Sequence, residues 1–419
     1  MSYLDELLDG VVVEWKILDD ISEIYGGLKG KSKADFTDGN AEYVSYKNIF
    51  NNIEVDFDIL EKVKVASNEH QYEVKYGDIL FTGSSEIAAE AGMSSAVTTK
   101  SNHKVYLNSF SFGLRFNSEI KLLPEFSKYL FRSHFIRKAI VKTASGVTRF
   151  NISKKRFKKL KIPIPPLQIQ KKIVGILDTF TELTAELTAE LTAELTARKK
   201  QYNYYREQLL SFEEGDVEWK ALGELGELVR GNGLPKSDFT ESGVPAIHYG
   251  QIYKYYGTYT SETISFVSVD TAKKLKKVET GDVIITNTSE NLEDVGKAVV
   301  YLGKETAVTG GHATIFKPSK IILGKFFAYY TQTSMFFKKK RKYAKGTKVI
   351  DVSAKDMAKI IFPIPSLKEQ QRIVNILDKF DTLTTSISEG LPKEIALRQQ
   401  QYEYYREQLL SFPKDKPNQ

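Results

Sequence analysis

The sequence predicts an α/β (α+β) fold in which two globular domains alternate with two long helical regions. Two observations carry this prediction. The segment QYNYYREQLLSF, which begins at Gln201, returns at Gln401 with one change, Asn203 to Glu403. In addition, β-rich stretches with Gly, Asn and Asp turns are each followed by a segment of helical apolar spacing. The chain is therefore a duplicated half, with internal two-fold pseudo-symmetry, and suits a partner that is two-fold or repetitive.

The repeat has a constant part and a variable part. IPIPPLQIQKKIVGILDTF, from Ile162, matches FPIPSLKEQQRIVNILDKF, from Phe362, whereas residues from Trp15 to about Thr143 have little likeness to the second copy. This pattern indicates a shared fold whose surfaces read two different targets, while the matching segments pack together or bind two copies of one partner.

The first residues resemble the tail of a repeat whose body lies at the other end of the chain, because YLDELL from Tyr3 resembles YREQLL from Tyr205. We therefore expect a closed arrangement in which the two termini lie near each other. The predicted segments are 1–160 for the first domain, 161–213 for the first helical region, 214–360 for the second domain and 361–419 for the second helical region.

Each Pro-Ile-Pro segment ends a preceding element and begins a long helix. In the first copy the helix is predicted from about Gln168 to Ser211, a length of about 60 Å at 1.5 Å per residue. In the second copy, Gly390 and Pro392 should kink or restart it. An ordinary amphipathic core helix remains an alternative, but the length favours an exposed coiled-coil arm, and antiparallel pairing of the two helices is geometrically easiest.

A short tandem repeat lies within the first helix. TAEL occurs three times in succession, from Thr184 to Leu195. Ala and Leu favour helix, and Glu194 can pair with Arg198 one turn later, so each unit lengthens the helix without breaking it. Helix length is therefore predicted to be the property that varies.

Composition favours an anionic partner inside the cell. The 419 residues include 60 Lys+Arg against 53 Asp+Glu, a formal net charge of +7. The chain has no cysteine, which excludes disulfides and thiolate chemistry and suits a reducing, cytoplasmic compartment. Neither an 18-residue apolar run nor a signal peptide is present, so no membrane association is expected.

Motifs for catalysis are absent from the sequence. An adenine methyltransferase needs an Asn-Pro-Pro-aromatic loop, and a translocase needs a P-loop. The closest approach to a P-loop is Gly26–Ser32, where Tyr25 occupies the first glycine position. The five histidines lack metal-ligand spacing, so neither catalysis nor a metal site is predicted.

Two divergent domains, two matching helices, the Pro-Ile-Pro segments and the TAEL units together resemble the specificity subunit of type I restriction-modification systems, over the whole chain. The resemblance implies two target-recognition domains, each reading half of a bipartite site in double-stranded DNA, separated by an antiparallel coiled coil. It further implies two modification (methyltransferase) subunits, which carry S-adenosylmethionine, and restriction (translocase-nuclease) subunits, which use ATP and Mg. This chain itself would hold no cofactor and would supply only sequence recognition.

Half-site reading needs amide, hydroxyl and guanidinium groups for base edges and Lys or Arg for phosphates. Such groups are supplied in both copies by matched glycine turns, early loops and Gly-Asp turns, although plain turns and ordinary β edges are alternatives. The glycine turns are 144–151 and 344–351, the early loops are 29–48 and 230–254, and the Gly-Asp turns are at 77–78 and 281–282. In the first domain the predicted contacts are Lys31, Lys33, Tyr43, Ser45, Lys47, Asn48, Thr82, Ser84, Ser85, Gly146, Thr148, Arg149, Lys154 and Lys155. In the second they are Arg230, Asn232, Lys236, His248, Tyr249, Gln251, Tyr253, Lys254, Thr286, Asn287, Lys345, Gly346, Thr347 and Lys348.

Two other functions compete with this interpretation. A helical-repeat adaptor or assembly protein without sequence-specific DNA binding would explain the helices, but not why the domains diverge while the helices do not. An enzyme that acts on nucleic acid by itself would need the catalytic motifs that are missing.

Overall fold

The computed structural model describes residues 3–386 and 389–413. Its contacts divide the chain into two units, of which one combines two stretches distant in sequence and the other is a single continuous stretch. Unit 1 combines Met1–Leu187 with Leu397–Gln419, and unit 2 is Thr188–Ala396. The division falls within helices, because each unit includes a helical segment from both copies; the four segments expected from the sequence stay a prediction.

Unit 1 contains three small sheets and a two-stranded ladder. Its strands are β1 (Glu14–Ile17), β2 (Ser22–Gly26), β3 (Ala41–Val44), β4 (Glu61–Val63), β5 (Ile79–Thr82), β6 (Ser84–Ser85), β7 (Ser94–Ala96), β8 (Val105–Leu107), β9 (Ser111–Phe116), β10 (Ala144–Ser145), β11 (Phe150–Ile152) and β12 (Lys161–Ile164). The sheet orders are β2-β9-β5-β7, β4-β3-β8, β10-β11-β6 and β1-β12. Its helices are α1 (Tyr3–Leu8), α2 (Leu18–Ile21), α3 (Tyr46–Asn51), α4 (Pro124–Leu130), α5 (His134–Val141), α6 (Lys154–Phe157) and the first part of α7 (Leu167–Leu209).

Unit 2 repeats this plan with two five-stranded sheets and two two-stranded ladders. Its strands are β13 (Glu218–Ala221), β14 (Gly226–Arg230), β15 (Phe239–Thr240), β16 (Val244–Ile247), β17 (Tyr259–Thr260), β18 (Ser265–Val267), β19 (Lys276–Val278), β20 (Val283–Thr286), β21 (Thr288–Ser289), β22 (Ala298–Tyr301), β23 (Ala307–Thr309), β24 (Ala313–Pro318), β25 (Ile350–Asp351) and β26 (Ile361–Ile364). The sheet orders are β14-β24-β20-β22-β17, β15-β18-β16-β23-β19, β21-β25 and β13-β26. The helices are the last part of α7, from Thr188, then α8 (Leu222–Leu225), α9 (Tyr249–Lys254), α10 (Val269–Lys274), α11 (Gly324–Tyr330), α12 (Ser334–Arg341), α13 (Ala354–Met357), α14 (Leu367–Thr385) and the first part of α15 (Gly390–Leu410), which continues into unit 1 from Leu397.

The long helices agree with the sequence prediction. α7 is continuous over 43 residues, about 65 Å at the rise of an α-helix. In the second copy α14 ends at Thr385 and α15 begins at Gly390, whose φ of +78° favours glycine, so the expected interruption is confirmed.

A repeated glutamine joins each long helix to its domain. In unit 1 the Gln170 side chain accepts from the Leu123 N–H (2.8 Å) and donates to the carbonyls of Lys121 (2.8 Å) and Pro165 (2.7 Å). Gln370 makes the same three bonds in unit 2, to residues 323, 321 and 365. Both glutamines are fully buried, and satisfying each amide locks the helix start to the domain.

The repeated tail of each copy packs on the domain of the other copy. In unit 1 the ring of Tyr405 lies 5.8 Å from that of Phe180, and Glu407 accepts a hydrogen bond from the first N–H of α5 at 2.7 Å. In unit 2 Tyr205 lies 5.7 Å from Phe380, and Glu207 accepts from the first N–H of α12 at 2.9 Å. A carboxylate at a helix N-terminus satisfies an otherwise free donor, so Glu407 and Glu207 have the same role in the two units.

The first and last described segments of the chain lie together within unit 1, in agreement with the predicted proximity of the termini. Leu4 and Leu8 share one apolar core with Leu409 and Phe412. Beside this core the Trp15 Nε1–H donates to the Pro413 carbonyl at 2.8 Å.

Candidate nucleic-acid interface

In unit 1 the early loop lines an open groove of about 650 Å³. Five predicted contacts border it, namely Lys31, Lys33, Tyr43, Ser45 and Lys47. Lys33 and Lys47 are exposed, whereas the Lys31 side chain is 4% exposed and forms an ion pair with Glu69 at 2.5 Å. Two lysines of the early loop are therefore available to phosphate, and the third is held by a carboxylate.

Three polar side chains of the early loop and the adjoining strand hold the backbone. Asn48 is fully buried, donates to the Asp56 carbonyl at 2.7 Å and accepts from the Asp56 N–H at 3.1 Å. Thr82, also fully buried, accepts from the Met93 N–H at 2.9 Å. The buried Tyr43 donates to Glu61 at 2.5 Å, and both burial and this carboxylate raise its pKa. The polar atoms of these three side chains therefore bond within the protein. Their contact with DNA stays a prediction.

The structure brings the serine segment and the glycine turn together. Phe150 pairs with Ser85 and Asn151 pairs with Ser84 in the β11–β6 ladder. The Arg149 Nε–H donates to the Ser84 hydroxyl at 3.0 Å, and the Ser85 hydroxyl accepts from the Ile87 N–H at 3.2 Å. The predicted segments at 84–85 and 144–151, which are distant along the chain, thus lie side by side in one sheet, in which Ser84 and Ser85 are buried.

The turn between β10 and β11 requires glycine. Gly146 has φ +142°, and a Cβ there would lie 1.9 Å from the Arg149 carbonyl oxygen. The next residues, Val147 (93% exposed), Thr148 and Arg149, project into solvent. The glycine therefore closes a tight turn that presents an arginine and a hydroxyl.

A basic surface follows this turn. Lys154 and Lys155 open α6 and are exposed. Burial and the nearby charge of Lys29 lower the pKa of Lys154. Because like charges in proximity are unfavourable without a counter-ion, this surface suits a phosphate backbone.

In unit 2 the early loop presents aromatic and imidazole rings. His248 begins α9 by accepting from the Gly250 N–H at 3.2 Å, and its ring centre lies 4.4 Å from that of Tyr249. Tyr249 also lies 4.9 Å from His312, whose Nδ1 is 2.9 Å from the Thr288 hydroxyl. Burial, then Lys236 and His312, lower the pKa of His248 and favour the neutral ring.

The remaining early-loop residues of unit 2 differ in exposure. Arg230 donates to the Gly311 carbonyl at 3.3 Å, and Asn232 donates to that of Lys274 at 2.6 Å. Gln251 is occupied by the His248 N–H and the Ser265 hydroxyl. Of the other predicted contacts in this loop, Lys236 and Lys254 are exposed and Tyr253 is half-buried.

Strand β20 ends at the fully buried Thr286, and Asn287, which follows it, is also fully buried. Thr286 donates to the Asp294 carbonyl at 2.7 Å. The Asn287 amide has no hydrogen-bond partner among the described residues, although its backbone is paired with residues 312 and 352. DNA contact by these two side chains stays a prediction.

The glycine turn of unit 2 matches that of unit 1. Gly346 has φ +104°, and a Cβ there would lie 2.0 Å from the Val349 carbonyl oxygen. Thr347 and Lys348 are exposed, while Lys345 forms an ion pair with Asp356 at 3.0 Å. Hydrogen bonds from Lys359, then Lys345, hold the pKa of Asp356 well below its ordinary value.

The two surfaces share a backbone frame but not their side chains. The N–H of Gly83 donates to the Phe110 carbonyl at 2.8 Å, and that of Asn287 donates to the His312 carbonyl at 2.8 Å. The carbonyls of 83 and 287 accept from residues 152 and 352, both at 2.9 Å. Positions 83, 110 and 152 therefore correspond to 287, 312 and 352. Position 149, three residues before 152, accordingly corresponds to 349. We call the loops around these positions loop cluster 1 (Ser45–Tyr46, Gly83–Ser84, Phe110 and Arg149) and loop cluster 2 (His248–Tyr249, Asn287–Thr288, His312 and Val349).

Sequence reasoning missed some members of these clusters. Phe110 is 66% exposed and borders the groove of unit 1. Tyr46 donates to the Ser84 carbonyl at 2.8 Å, and His312 lies between Tyr249 and Thr288. An isolated aromatic residue resembles core in a sequence, so only its place in the fold could have identified it.

The described residues contain no group of His, Asp or Glu side chains arranged to hold a metal ion. Within the same residues no helix has both the length and the apolar character needed to cross a membrane.

Comparison with known proteins defines the class. A family model described as the type I restriction modification DNA specificity domain matches residues 12–197 and again 214–397. The chain therefore belongs to the family of type I restriction-modification DNA specificity subunits. Its role is to specify DNA sequence, without being the catalytic subunit, and the adaptor alternative has no support.

Particular relatives are similar over nearly their whole length. The EcoR124I/EcoR124II specificity subunit of Escherichia coli is 35% identical over 439 residues, covering 99% of this chain and 98% of the relative. The EcoprrI specificity subunit of Escherichia coli is 29% identical over 411 residues, covering 93% and 92%. The predicted family is thus confirmed.

Solved structures show the same fold at low identity. A chain from work on complex assembly and conformational transition of the type I R-M system has a TM-score of 0.68 at 17% identity, covering 95% of this chain and 97% of that chain. The HsdS subunit from Thermoanaerobacter tengcongensis has a TM-score of 0.57 at 17% identity, covering 96% and 98%. The predicted fold class, two globular domains with long helices, is confirmed.

Proposed function

We propose that this chain directs a type I restriction-modification complex to a bipartite site in double-stranded DNA, with loop cluster 1 reading one half-site and loop cluster 2 the other. One observation carries the proposal: equivalent positions in one repeated backbone frame hold different side chains. A common frame with Phe110 and Arg149 in one unit, and His312 and Val349 in the other, supports two readers of the same kind with different targets.

We further propose that the matching tails dock two modification subunits and that restriction subunits join them. Each tail carries an adjacent pair of exposed tyrosines, Tyr204 with Tyr205 and Tyr404 with Tyr405, whose rings lie 5.4 Å and 5.5 Å apart. Exposed aromatic pairs are typical of interfaces. In this proposal S-adenosylmethionine belongs to the modification subunits, and ATP and Mg belong to the restriction subunits.

The test of independent reading is a domain replacement. Residues 20–140 are exchanged for the corresponding residues of another family member, and methylated adenines are mapped in cells that also express the modification subunit. We expect one half of the methylated sequence to change and the other half to stay. A change in both halves, or in neither, contradicts reading by separate units.

Duplex binding gives a second measurement. Binding to a duplex that contains the mapped site should weaken steeply with salt, because lysines and arginines on phosphates release counter-ions. A scrambled duplex of equal length is the control, and equal affinity for both duplexes would contradict sequence-specific recognition.

A further inference from the structure

Arg149 is the exposed cation of loop cluster 1 whose direction is fixed by the fold. Its Nε–H donates to the Ser84 hydroxyl at 3.0 Å, and Ser84 is held in the β6 strand against Asn151. The tight turn at Gly146 places the Arg149 backbone, because its carbonyl lies where a Cβ at Gly146 would be. Both the backbone of Arg149 and its Nε atom are therefore positioned before any ligand binds.

The outer edge of the same guanidinium is available. Among residues 3–386 and 389–413, the two terminal nitrogens of Arg149 have no hydrogen bond to a protein acceptor and no ion pair with a carboxylate. By contrast Arg132 and Arg137, in the same unit, are half-buried and donate to backbone carbonyls. An arginine without an acid partner, five residues before the exposed Lys154 in the chain, is arranged to receive an acceptor from outside the chain.

We propose that Arg149 reads a guanine in the half-site of unit 1, with Ser84 as its positioning residue. The planar guanidinium offers two parallel N–H donors, which match the O6 and N7 acceptors that guanine presents in the major groove. Fixing Nε on a hydroxyl leaves those donors directed outward and reduces the rotamer freedom lost on binding. This inference rests on the proposed function and assigns one base-reading group to it.

The corresponding position in unit 2 makes the assignment specific to one half-site. Val349 occupies the same place after Gly346, is 58% exposed and has no donor in its side chain. The hydroxyl that corresponds to Ser84 is Thr288, which is 2.9 Å from the His312 ring nitrogen. Unit 2 therefore has no arginine reader at this position, and the guanine belongs to the half-site read by unit 1.

Variants that separate base reading from phosphate binding test the proposal. Arg149→Lys keeps the charge but replaces the planar pair of parallel donors with a single ammonium group, which fits O6 and N7 less well. The complex with modification subunits should therefore methylate sites in which one base position of one half-site has become degenerate. Discrimination there should fall roughly 10- to 100-fold, while the other half-site and the spacer remain. Ser84→Ala should cause a smaller loss at the same position. Arg156→Lys, an exposed arginine that bonds the Ala144 carbonyl, is the matched control and should leave the methylated sequence unchanged.

A second measurement alters the DNA base and compares the wild-type complex with the Arg149→Lys complex. Once the degenerate position is known, duplexes with guanine or 7-deazaguanine there are compared, since the modified base lacks N7. The wild-type complex should bind the modified duplex more weakly, and the Arg149→Lys complex should bind both equally.

The outcomes are distinguishable. An unchanged methylated sequence in the Arg149→Lys complex overturns guanine reading by Arg149. A change in the half-site that domain replacement assigns to unit 2 also overturns it. If wild-type complex methylates no bipartite sequence, the proposed function fails instead.

Discussion

At the residue scale, glycine in the turn of each loop cluster is required by sterics. Gly146→Ala would place a Cβ against the Arg149 carbonyl at a φ of +142°, a conformation that costs side chains about 1–3 kcal/mol. We expect the turn to rearrange and methylation at the site to fall at least 10-fold, with a small decrease in the denaturant midpoint. Methylation rate and urea unfolding measure the two effects. Gly26→Ala, where a Cβ meets nothing within 4 Å, is the control and should preserve both; equal loss in the two variants would contradict the steric explanation.

Lys340 is a buried lysine whose titration affects stability. It lies in the basic run 338–342, is 3% exposed and donates to the carbonyls of Glu293 (3.0 Å) and Val295 (2.6 Å). Burial lowers its pKa to about 8. The unfolded chain therefore binds this proton more tightly than the folded chain between about pH 8 and 10.5, so the free energy of unfolding should rise with pH in that window, by about 3 kcal/mol in all.

The measurement is the urea midpoint of the wild type and of Lys340→Met from pH 7 to 9.5. Because methionine has no charge to desolvate, the wild type should gain stability relative to the variant as pH rises. A difference that is constant with pH would show that burial does not lower the pKa of Lys340.

The sequence predicted which loops form the candidate site better than it predicted which side-chain polar groups are left without a partner inside the protein. The hydroxyl-rich segment 84–85 and the glycine turn at 146–149 lie next to each other in the structure. The sequence could indicate both segments because their residue types are visible in it. The internal use of Asn48 and Lys31 was not visible, because their partners Asp56 and Glu69 are set by tertiary packing.

At the element scale, the bounds of α7 followed from local signals. The proline segment at its start, the lack of internal proline and the apolar period predicted 168–211, and the structure has Leu167–Leu209. Which domain its end packs on could not be predicted, since the same tail sequence occurs twice and the choice depends on contacts such as Glu207 with Ser334.

The TAEL units make α7 a helix of adjustable length. Their leucines are only half-buried, so a unit can be removed without opening a core. Four residues contribute about 6 Å and about 400°, a net rotation of about 40°. One base pair contributes about 3.4 Å and about 34° in a duplex of about 10.5 pairs per turn. The rotations nearly agree, and helix tilt or supercoiling must absorb the difference in length.

We therefore predict that deletion of Thr192–Leu195 shortens the unread spacer by one base pair and leaves both half-sites unchanged. Mapping of methylated adenines in cells with the deletion is the measurement. Replacement of the same four residues by AAEL, which keeps helix length, is the control. An unaltered spacer, or altered half-sites, would refute the role of α7 length.

At the scale of the whole molecule, the repeated tails predict a stoichiometry. If each exposed tyrosine pair belongs to one docking surface, the purified complex should hold two modification subunits per chain, as native mass spectrometry would show. Tyr204→Ser, which alters one tail, should weaken one of the two, and Tyr204→Ser with Tyr404→Ser should weaken both. A single subunit on the wild-type chain would count against docking at both tails.

The exchange of tails between copies has a consequence for how the polypeptide could be divided. The turn before β13 includes exposed Gly215, where φ is +102° and no atom lies near a Cβ position. A break there would leave two fragments, each lacking the helical end that its own domain needs and each carrying the one that the other fragment needs. Neither fragment could close its apolar core alone, but together they restore every contact of both units. The fold is therefore suited to assembly by fragment complementation, with the two pieces as obligate counterparts.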